Sequence, residues 1–261
     1  GDVEVSFAKA GYPVISCAKN HRMDADVPLI IPEVNLEHIP LIKSQKYSQK
    51  GFIVTKPNCS VIGLCLALRP LQLEFGIDAV HVVTLQAISG AGFPGVPSLS
   101  LLDNIIPYIA NEEERLESEP LKVLGSYDNG AITPYPVKIS ASCTRVPVTE
   151  GHTEVVSVKL KEKASKAEVA RAFKEFWPPS QELKLPTAGK KVIHYFEEPD
   201  FPQPRLHRDL EQGMAVSVGR LRECPLLDYK FVLLSHNTIR GAAGGAVLMA
   251  ELLIRQGHIF W

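Results

Sequence analysis

The stretch GFIVTKPNCSVIGLCLALRPL, Gly51–Leu71, decides how the chain is read. GFIVTKPN is an apolar, β-branched run that stops at Pro57, as a strand does. Directly after it, from Cys59, an apolar run at helical spacing begins. A strand that runs straight into a helix predicts an α/β fold. Working outward, YPVISCA (Tyr12–Ala18) reads as a short buried strand, and VEVSFAKAG before it as the tail of a helix ending at Gly11. The loop HRMDADVPLIIPEVN, with Pro28 and Pro32, separates the two strands. Strand, loop, strand, helix is the order of the back half of a parallel α/β domain, so the chain reads as starting inside such a unit.

The 261 residues are 45% hydrophobic and 22% charged, which is ordinary globular composition with length for one large core or two domains. A net charge of −1 gives no electrostatic footprint for nucleic acid or a membrane surface. No apolar run reaches the ~20 residues of a membrane span, and the first residues lack the basic start and apolar core of a signal peptide. The cysteines are Cys17, Cys59, Cys65, Cys143 and Cys224, odd in number and without a CxxC pair. That pattern argues against a disulfide framework or a metal site and for a reducing, cytoplasmic compartment.

Beyond Gly76 the pattern changes. AVHVVTLQAI reads as a strand, and SLLDNIIPYIA and EEERLESEPLKVLG as helical pieces interrupted by Pro107 and Pro120. VKISASCTRVPV and HTEVVSVKL alternate with period two and read as antiparallel strands joined by the turn TEGH. SKAEVARAFKEFW opens with Ser165 and Glu168 at capping-box spacing, so it is a helix. KKVIHYF, MAVSVGRLR and YKFVLLSHN are further strands. TIRGAAGGAVLMAELLIRQG reads as one long closing helix from near Thr238.

The chemistry starts at Cys59. A helix N-terminus carries about half a positive charge and unpaired N–H groups, which favour a thiolate and lower its pKa from ~8.5. Most lone cysteines are inert and buried, but Cys59 lies at the helix mouth between polar neighbours, whereas Cys65 lies in the apolar face. Gln86 ends a strand, just before a glycine loop. Arg145 and His152 flank a turn. Glu119 and Lys122 lie three apart on one helix face, and Arg22 sits in a loop after a strand. Each of these alone reads as well as a surface group or a solvated ion pair. GAGFPG (Gly90–Gly95) matches GxGxxG after a strand, but Pro94 and Pro97 crowd the place where a helix has to begin. It reads as a glycine loop of special backbone geometry, not as a dinucleotide turn.

Taken together, HRM, PNCS, QAISGAG, ExxK, RVPVTEGH and NTIRGAAGGAVL, in this order and spacing, closely resemble aspartate-β-semialdehyde dehydrogenases of the fungal and archaeal kind, over essentially the whole chain. Cys17 and Val61 depart from the family pattern, where asparagine and threonine are expected. The resemblance implies a glyceraldehyde-3-phosphate-dehydrogenase-like catalytic and dimerisation domain with a mixed sheet, beside a remnant of an NADP-binding Rossmann domain. It implies boundaries at 1–58 for the remnant, 59–236 for the catalytic domain and 237–261 for a helix returning to the first unit. The family's phosphate-binding glycine turn falls outside these residues, so the chain alone is expected to lack turnover.

The implied reaction is NADPH-dependent reduction of L-aspartyl-4-phosphate to L-aspartate-4-semialdehyde, in threonine, methionine, isoleucine and lysine biosynthesis. Cys59 is the implied nucleophile, His152 the acid/base and Gln86 the group orienting the intermediate. Arg145 would take the α-carboxylate and Glu119 the α-ammonium, with Arg22, Asn58 and Lys122 on phosphate. Ser89, Gly90, Ala91, Gly92, Asn237, Thr238 and Gly241 would meet the cofactor NADP, and no metal is implied. Self-association as a dimer or tetramer is expected, through the catalytic sheet. Rival readings are an N-acetylglutamyl-phosphate or malonyl-CoA reductase of the same fold, a catalytically silent oligomerisation fragment, and a Cys–His hydrolase.

Overall fold

A computed structural model describes residues 1–48 and 50–260. Helix α1 (Asp2–Lys9) leads into strand β1 (Pro13–Ser16), and Gly11 makes the turn between them at φ 95°. After the short helix α2 (Pro32–Asn35) comes β2 (Phe52–Thr55), which pairs with β1 in parallel. β2 is buried throughout. β1 is shorter and more open than its sequence suggests, with only Ser16 buried.

Helix α3 (Cys59–Phe75) follows β2 and is the apolar centre of the protein. Asn58 caps it: its Oδ1 accepts the N–H groups of Ser60 (2.9 Å) and Val61 (3.5 Å), a contribution of ~1 kcal/mol. The chain then returns along β3 (Ile77–Gln86), passes the single turn α4 (Ser98–Leu101) and enters α5 (Glu112–Val123). The expected helix over residues 100–110 stops at Leu101. Asp103 takes a left-handed backbone, and Ile106 bridges Arg145 in extended form. Pro120 does not interrupt α5, because it lies in the last turn and its own carbonyl still accepts the Leu124 N–H at 2.8 Å.

A small hairpin, β4 (Ser126–Asp128) and β5 (Ala131–Thr133), turns at Asn129-Gly130, both at positive φ. Next are β6 (Lys138–Arg145), β7 (His152–Leu160), α6 (Lys166–Glu175), β8 (Ile193–Tyr195), the turn α7 (Pro204–His207), β9 (Val216–Glu223) and β10 (Tyr229–Ser235). The capping box of Ser165 and Glu168 starts α6 as expected.

Six strands form one mixed sheet in the order β6-β3-β7-β10-β9-β8, with β3–β6 and β8–β9 parallel and the other pairs antiparallel. The expected β6–β7 hairpin does not form, because β3 lies between the two strands. The link between them crosses the end of β3 instead, where Val146 N–H donates to Gln86 O (3.0 Å) and Ile88 N–H to Val148 O (2.8 Å). Arg145 and His152 therefore stand on either side of Gln86.

α3, α5 and α6 cover one face of the sheet through a single core that includes Leu64, Leu68, Val82, Val156, Phe173 and Phe231. On the other face Val83, Leu85 and Val232 are half-buried and His81 and Val155 exposed.

The closing helix is broken. Residues Ile239–Ala243 form one wide turn kinked at Ala242, and α8 begins only at Gly244 (Gly244–Arg255). The wide turn carries Arg240, which makes a buried bidentate pair with Glu33 of α2 at 2.7 and 2.6 Å. α8 then packs Leu248, Met249, Leu252 and Leu253 against Ile30, Phe52 and Val54. Among the described residues no helix is long and apolar enough to cross a membrane.

Candidate active site

The sheet order delivers the expected side chains to one end. Gln86 and Arg145 are register partners at the C-terminal ends of the parallel strands β3 and β6. β7 runs the other way, so it starts at this end with His152, whose partner Ser235 closes β10. α3 precedes β3 and runs antiparallel to it, so its first residue, Cys59, lies there too. The Cys59 Sγ stands 3.4 Å from His152 Nε2, across 93 positions of sequence.

The partner of the other imidazole nitrogen fixes the tautomer. His152 Nδ1 accepts the Ala87 backbone N–H at 3.0 Å, so in the neutral ring the proton sits on Nε2 and faces the sulfur. Burial, then the charges of Arg145 and His236, push His152 down to about 3. Of the acid/base role expected of His152, this leaves the acid half. The ring is a neutral Nε2–H donor across the physiological range.

The helix-mouth expectation for Cys59 is also corrected. The residue is partly open to solvent, yet burial of the thiol and then the Glu112 charge push it up to about 11. Lys56 and the Ser60 N–H pull the other way and are outweighed. A helix terminus is a fractional charge, and desolvation with a full anion nearby exceeds it. Cys65 is wholly buried and pushed further up by burial.

Glu112, at the first position of α5, ties the site together and was not singled out in the sequence. Its carboxylate accepts Asn58 Nδ2 (2.9 and 3.0 Å), Gln86 Nε2 (3.1 Å) and Arg115 Nη1 (2.6 Å). It therefore orients both the amide that caps the Cys59 helix and the amide of Gln86. Lys56 was missed as well: buried beside Cys59, it donates to the Gly241 and Pro57 carbonyls.

Of the remaining expected residues, Arg145 donates Nη1 to Ala87 O at 2.7 Å and keeps its other donors. Glu119 accepts Arg22 Nη1 (2.9 Å) and the Asn58 backbone N–H (2.7 Å), which links the loop after β1 to the start of α3. Lys122 departs from expectation. Its ammonium donates to three carbonyls, Arg22 O, Asp24 O and Val27 O, at 2.7 to 2.9 Å, and no proton is left for phosphate. Burial pushes it down to about 8.

Of the expected cofactor residues, Gly90 and Gly241 lie against the same pair. Asn237 joins the Ser89 hydroxyl (2.8 Å) to the Gly151 N–H (2.9 Å), and Thr238 donates to Glu150 (3.2 Å). A Cβ on Gly90 would lie 2.7 Å from Arg145 Nη1 and 3.1 Å from the His152 ring, and one on Gly241 would lie 2.6 Å from the Cys59 Cβ. Both loops thus bring bare backbone over the Cys–His pair. Gly92 takes φ 70° with open space around it, and Ala91 ends the 3-10 turn between. No helix starts within GAGFPG.

Known proteins share this arrangement of elements. Residues 68–240 match the family model "Semialdehyde dehydrogenase, dimerisation domain", and residues 1–42 match "Semialdehyde dehydrogenase, NAD binding domain". The chain is 50% identical over 257 residues to the aspartate-semialdehyde dehydrogenase of Archaeoglobus fulgidus, covering 98% of this chain and 74% of that one. It is 46% identical over 275 residues to the Saccharomyces cerevisiae protein of the same name, covering 99% and 75%. The crystal structure of aspartate semialdehyde dehydrogenase with NADP from Candida albicans superposes with a TM-score of 0.91 at 44% identity, covering 99% of this chain and 75% of that one. Aspartate semialdehyde dehydrogenase II from Vibrio cholerae gives 0.78 at 27% identity, covering 98% and 78%.

Proposed function

The chain belongs to the aspartate-semialdehyde dehydrogenase family, and on that premise we propose that it reduces L-aspartyl-4-phosphate to L-aspartate-4-semialdehyde with NADPH, through a thioester on Cys59. The observation that carries this reading is the Cys59–His152 contact of 3.4 Å at the sheet end that also holds Gln86 and Arg145. The step serves the synthesis of threonine, methionine, isoleucine and lysine. All five cysteines are free thiols, which suits a cytoplasmic setting.

Cys59 reacts as the thiolate, its thiol proton passing to solvent, to which the residue is partly open. Its sulfur attacks the acyl carbon, the bond from that carbon to the phosphate oxygen breaks, and phosphate leaves with the electron pair, so that a thioester remains. His152 donates its Nε2–H, first to the sulfur and then to the oxygen that gains charge in the tetrahedral intermediate. Gln86, held by Glu112 at its amide nitrogen, has its oxygen free to orient that intermediate. The Arg145 guanidinium offers a planar fork to the α-carboxylate. Each Glu119 oxygen accepts one hydrogen bond and keeps a lone pair for the α-ammonium. Arg22 keeps donors for phosphate, while Asn58 and Lys122 position the helix start and the Arg22 loop.

NADP fits the backbone cradle of Gly90 and Gly241, where any side chain would collide with Cys59, His152 or Arg145. Ser89, Ala91, Gly92, Asn237 and Thr238 would complete its nicotinamide side, and when bound it supplies the hydride that reduces the thioester. The pyrophosphate and adenosine contacts of a dinucleotide come mainly from the first βαβ unit of a Rossmann domain. Residues 1–261 span 74 and 75% of the length of the two curated relatives, and we propose that these residues hold the nicotinamide side of the cofactor. Titration of this chain, and of one extended with the N-terminal segment of the Candida albicans relative, tests that.

The half-open sheet face with Val83, Leu85, Val155 and Val232 is the proposed surface for a dimer or tetramer, in keeping with the matched dimerisation domain. Sedimentation as a stable monomer at micromolar concentration would contradict it. Turnover of the extended chain tests the reaction itself: Cys59→Ala abolishes NADPH oxidation by aspartyl phosphate, and an active Cys59→Ala protein refutes the proposal.

A further inference from the structure

A second carboxyl group lies in the same interior and has no part in the chemistry above. Glu154 stands two residues beyond His152 on β7, on the same face of the strand, and is wholly buried. Its register partners are Thr84 of β3 and Leu233 of β10. Neither carboxyl oxygen has a hydrogen-bond partner among the described residues. The hydroxyls of Ser60, at the start of α3, and Ser235, beside His152, share that condition. α3 presses directly on this patch: a Cβ on Gly63, one turn after Ser60, would lie 2.6 Å from Ser235 Oγ and 3.2 Å from Leu233 Cδ1.

Glu112 shows what a buried carboxylate requires here. It is 6% exposed and receives donors from Asn58, Gln86 and Arg115. An ionised carboxylate as deeply buried as Glu154, without such donors, would cost several kcal/mol, whereas the neutral acid costs far less. Two carboxyl groups in one site, one richly supplied with donors and the other without any, sort into one anion and one acid. Burial and the Glu112 charge both push Glu154 well above the usual carboxylate range.

We propose that Glu154 is held as a neutral carboxylic acid beneath the Cys59–His152 pair and is a positioning residue for charge: protonated, it adds no further anion to the donor-supplied carboxylates of Glu112 and Glu119, and ionised, it opposes formation of the Cys59 thiolate. The titratable groups around it are Glu112 from α5, Cys59 and Cys65 from α3, Cys143 from β6 and His152 on its own strand. β10 brings only Leu233 and Ser235 there. Lys56 and Arg145 are the cations beside Cys59. The consequence for the thiolate rests on Cys59 as nucleophile. The protonation state of Glu154 does not, and no turnover is needed to measure either.

Two readouts test it on wild type, Glu154→Gln and Glu112→Gln. Infrared difference spectra near neutral pH should show a protonated-carboxyl C=O band in wild type that Glu154→Gln removes and Glu112→Gln retains. Alkylation of Cys59 by iodoacetamide, followed by peptide mass spectrometry, should proceed equally in wild type and Glu154→Gln near pH 7. At alkaline pH, once Glu154 ionises, it should become faster in Glu154→Gln by up to about tenfold, the effect of one pKa unit. A band that survives Glu154→Gln overturns the proposal, as does equal acceleration at all pH values, which would mark Glu154 as charged. Identical profiles overturn the coupling. If Glu154→Gln does not fold, carbon-13 NMR of wild type labelled at the glutamate carboxyls decides. One resonance at a protonated-acid position that does not titrate through neutral pH supports the proposal, and its absence refutes it.

Discussion

Replacing His152 with glutamine should make the protein less sensitive to acid. Free imidazole titrates near 6.5, and in the fold His152 is held at about 3 by burial and by the neighbouring Arg145 charge. The folded ring therefore refuses a proton that the unfolded chain accepts. Its contribution to stability is fully present above pH 6.5 and is lost as pH falls toward 3. At about 1.4 kcal/mol per pKa unit, the gap between 6.5 and about 3 is worth about 5 kcal/mol over the whole window. Urea unfolding at several pH values between 7 and 4 measures it. Wild type should lose about 1.4 kcal/mol per pH unit more than His152→Gln below pH 6, since the carboxylates titrate alike in both and cancel in the difference. Parallel stability curves would show that the folded ring takes up its proton as readily as the unfolded chain does, and would refute a ring kept neutral by burial and the Arg145 charge.

Glu112→Gln weakens an acceptor that serves two amides and an arginine, so it should cost about 1–3 kcal/mol in urea unfolding and lower kcat more than it raises KM. Wild-type behaviour in both would remove Glu112 from the site. Lys122→Met leaves the carbonyls of Arg22, Asp24 and Val27 without their donor, and should cost about 2–3 kcal/mol. Its KM for aspartyl phosphate should rise less than that of Arg22→Met. The reverse order would put Lys122 on the phosphate.

Local signals in the sequence carried well into the structure. The capping box at Ser165 and the run of apolar residues after Cys59 are short-range features, and each appears where the sequence puts it. The convergence of Cys59, Gln86, Arg145 and His152 was legible only through the family resemblance, because period-two alternation names a strand but not its neighbour. For the same reason β6 and β7 read as a hairpin although β3 separates them. The ionisation of Cys59 depends on Glu112, which is distant in sequence and looks like one of several solvated glutamates at the start of a helix. Glu154 shares the apolar face of β7 with Val156, Val158 and Leu160, and its lack of donors depends on neighbours from other strands and from α3 that the sequence does not name. Lys122 shows the limit of spacing: Glu119 and Lys122 do lie close together on α5, but the three carbonyls that hold the lysine come from a loop nearly one hundred residues earlier.

The central claim is that Cys59 becomes acylated, and a rapid acid quench during reaction with aspartyl phosphate in the absence of NADPH tests it most directly. Peptide mass spectrometry should then find an aspartyl adduct on the peptide containing Cys59, removable by hydroxylamine and missing in Cys59→Ala. An adduct on Cys17, Cys65, Cys143 or Cys224 instead, or turnover of the extended chain with no thioester at Cys59, would contradict the account.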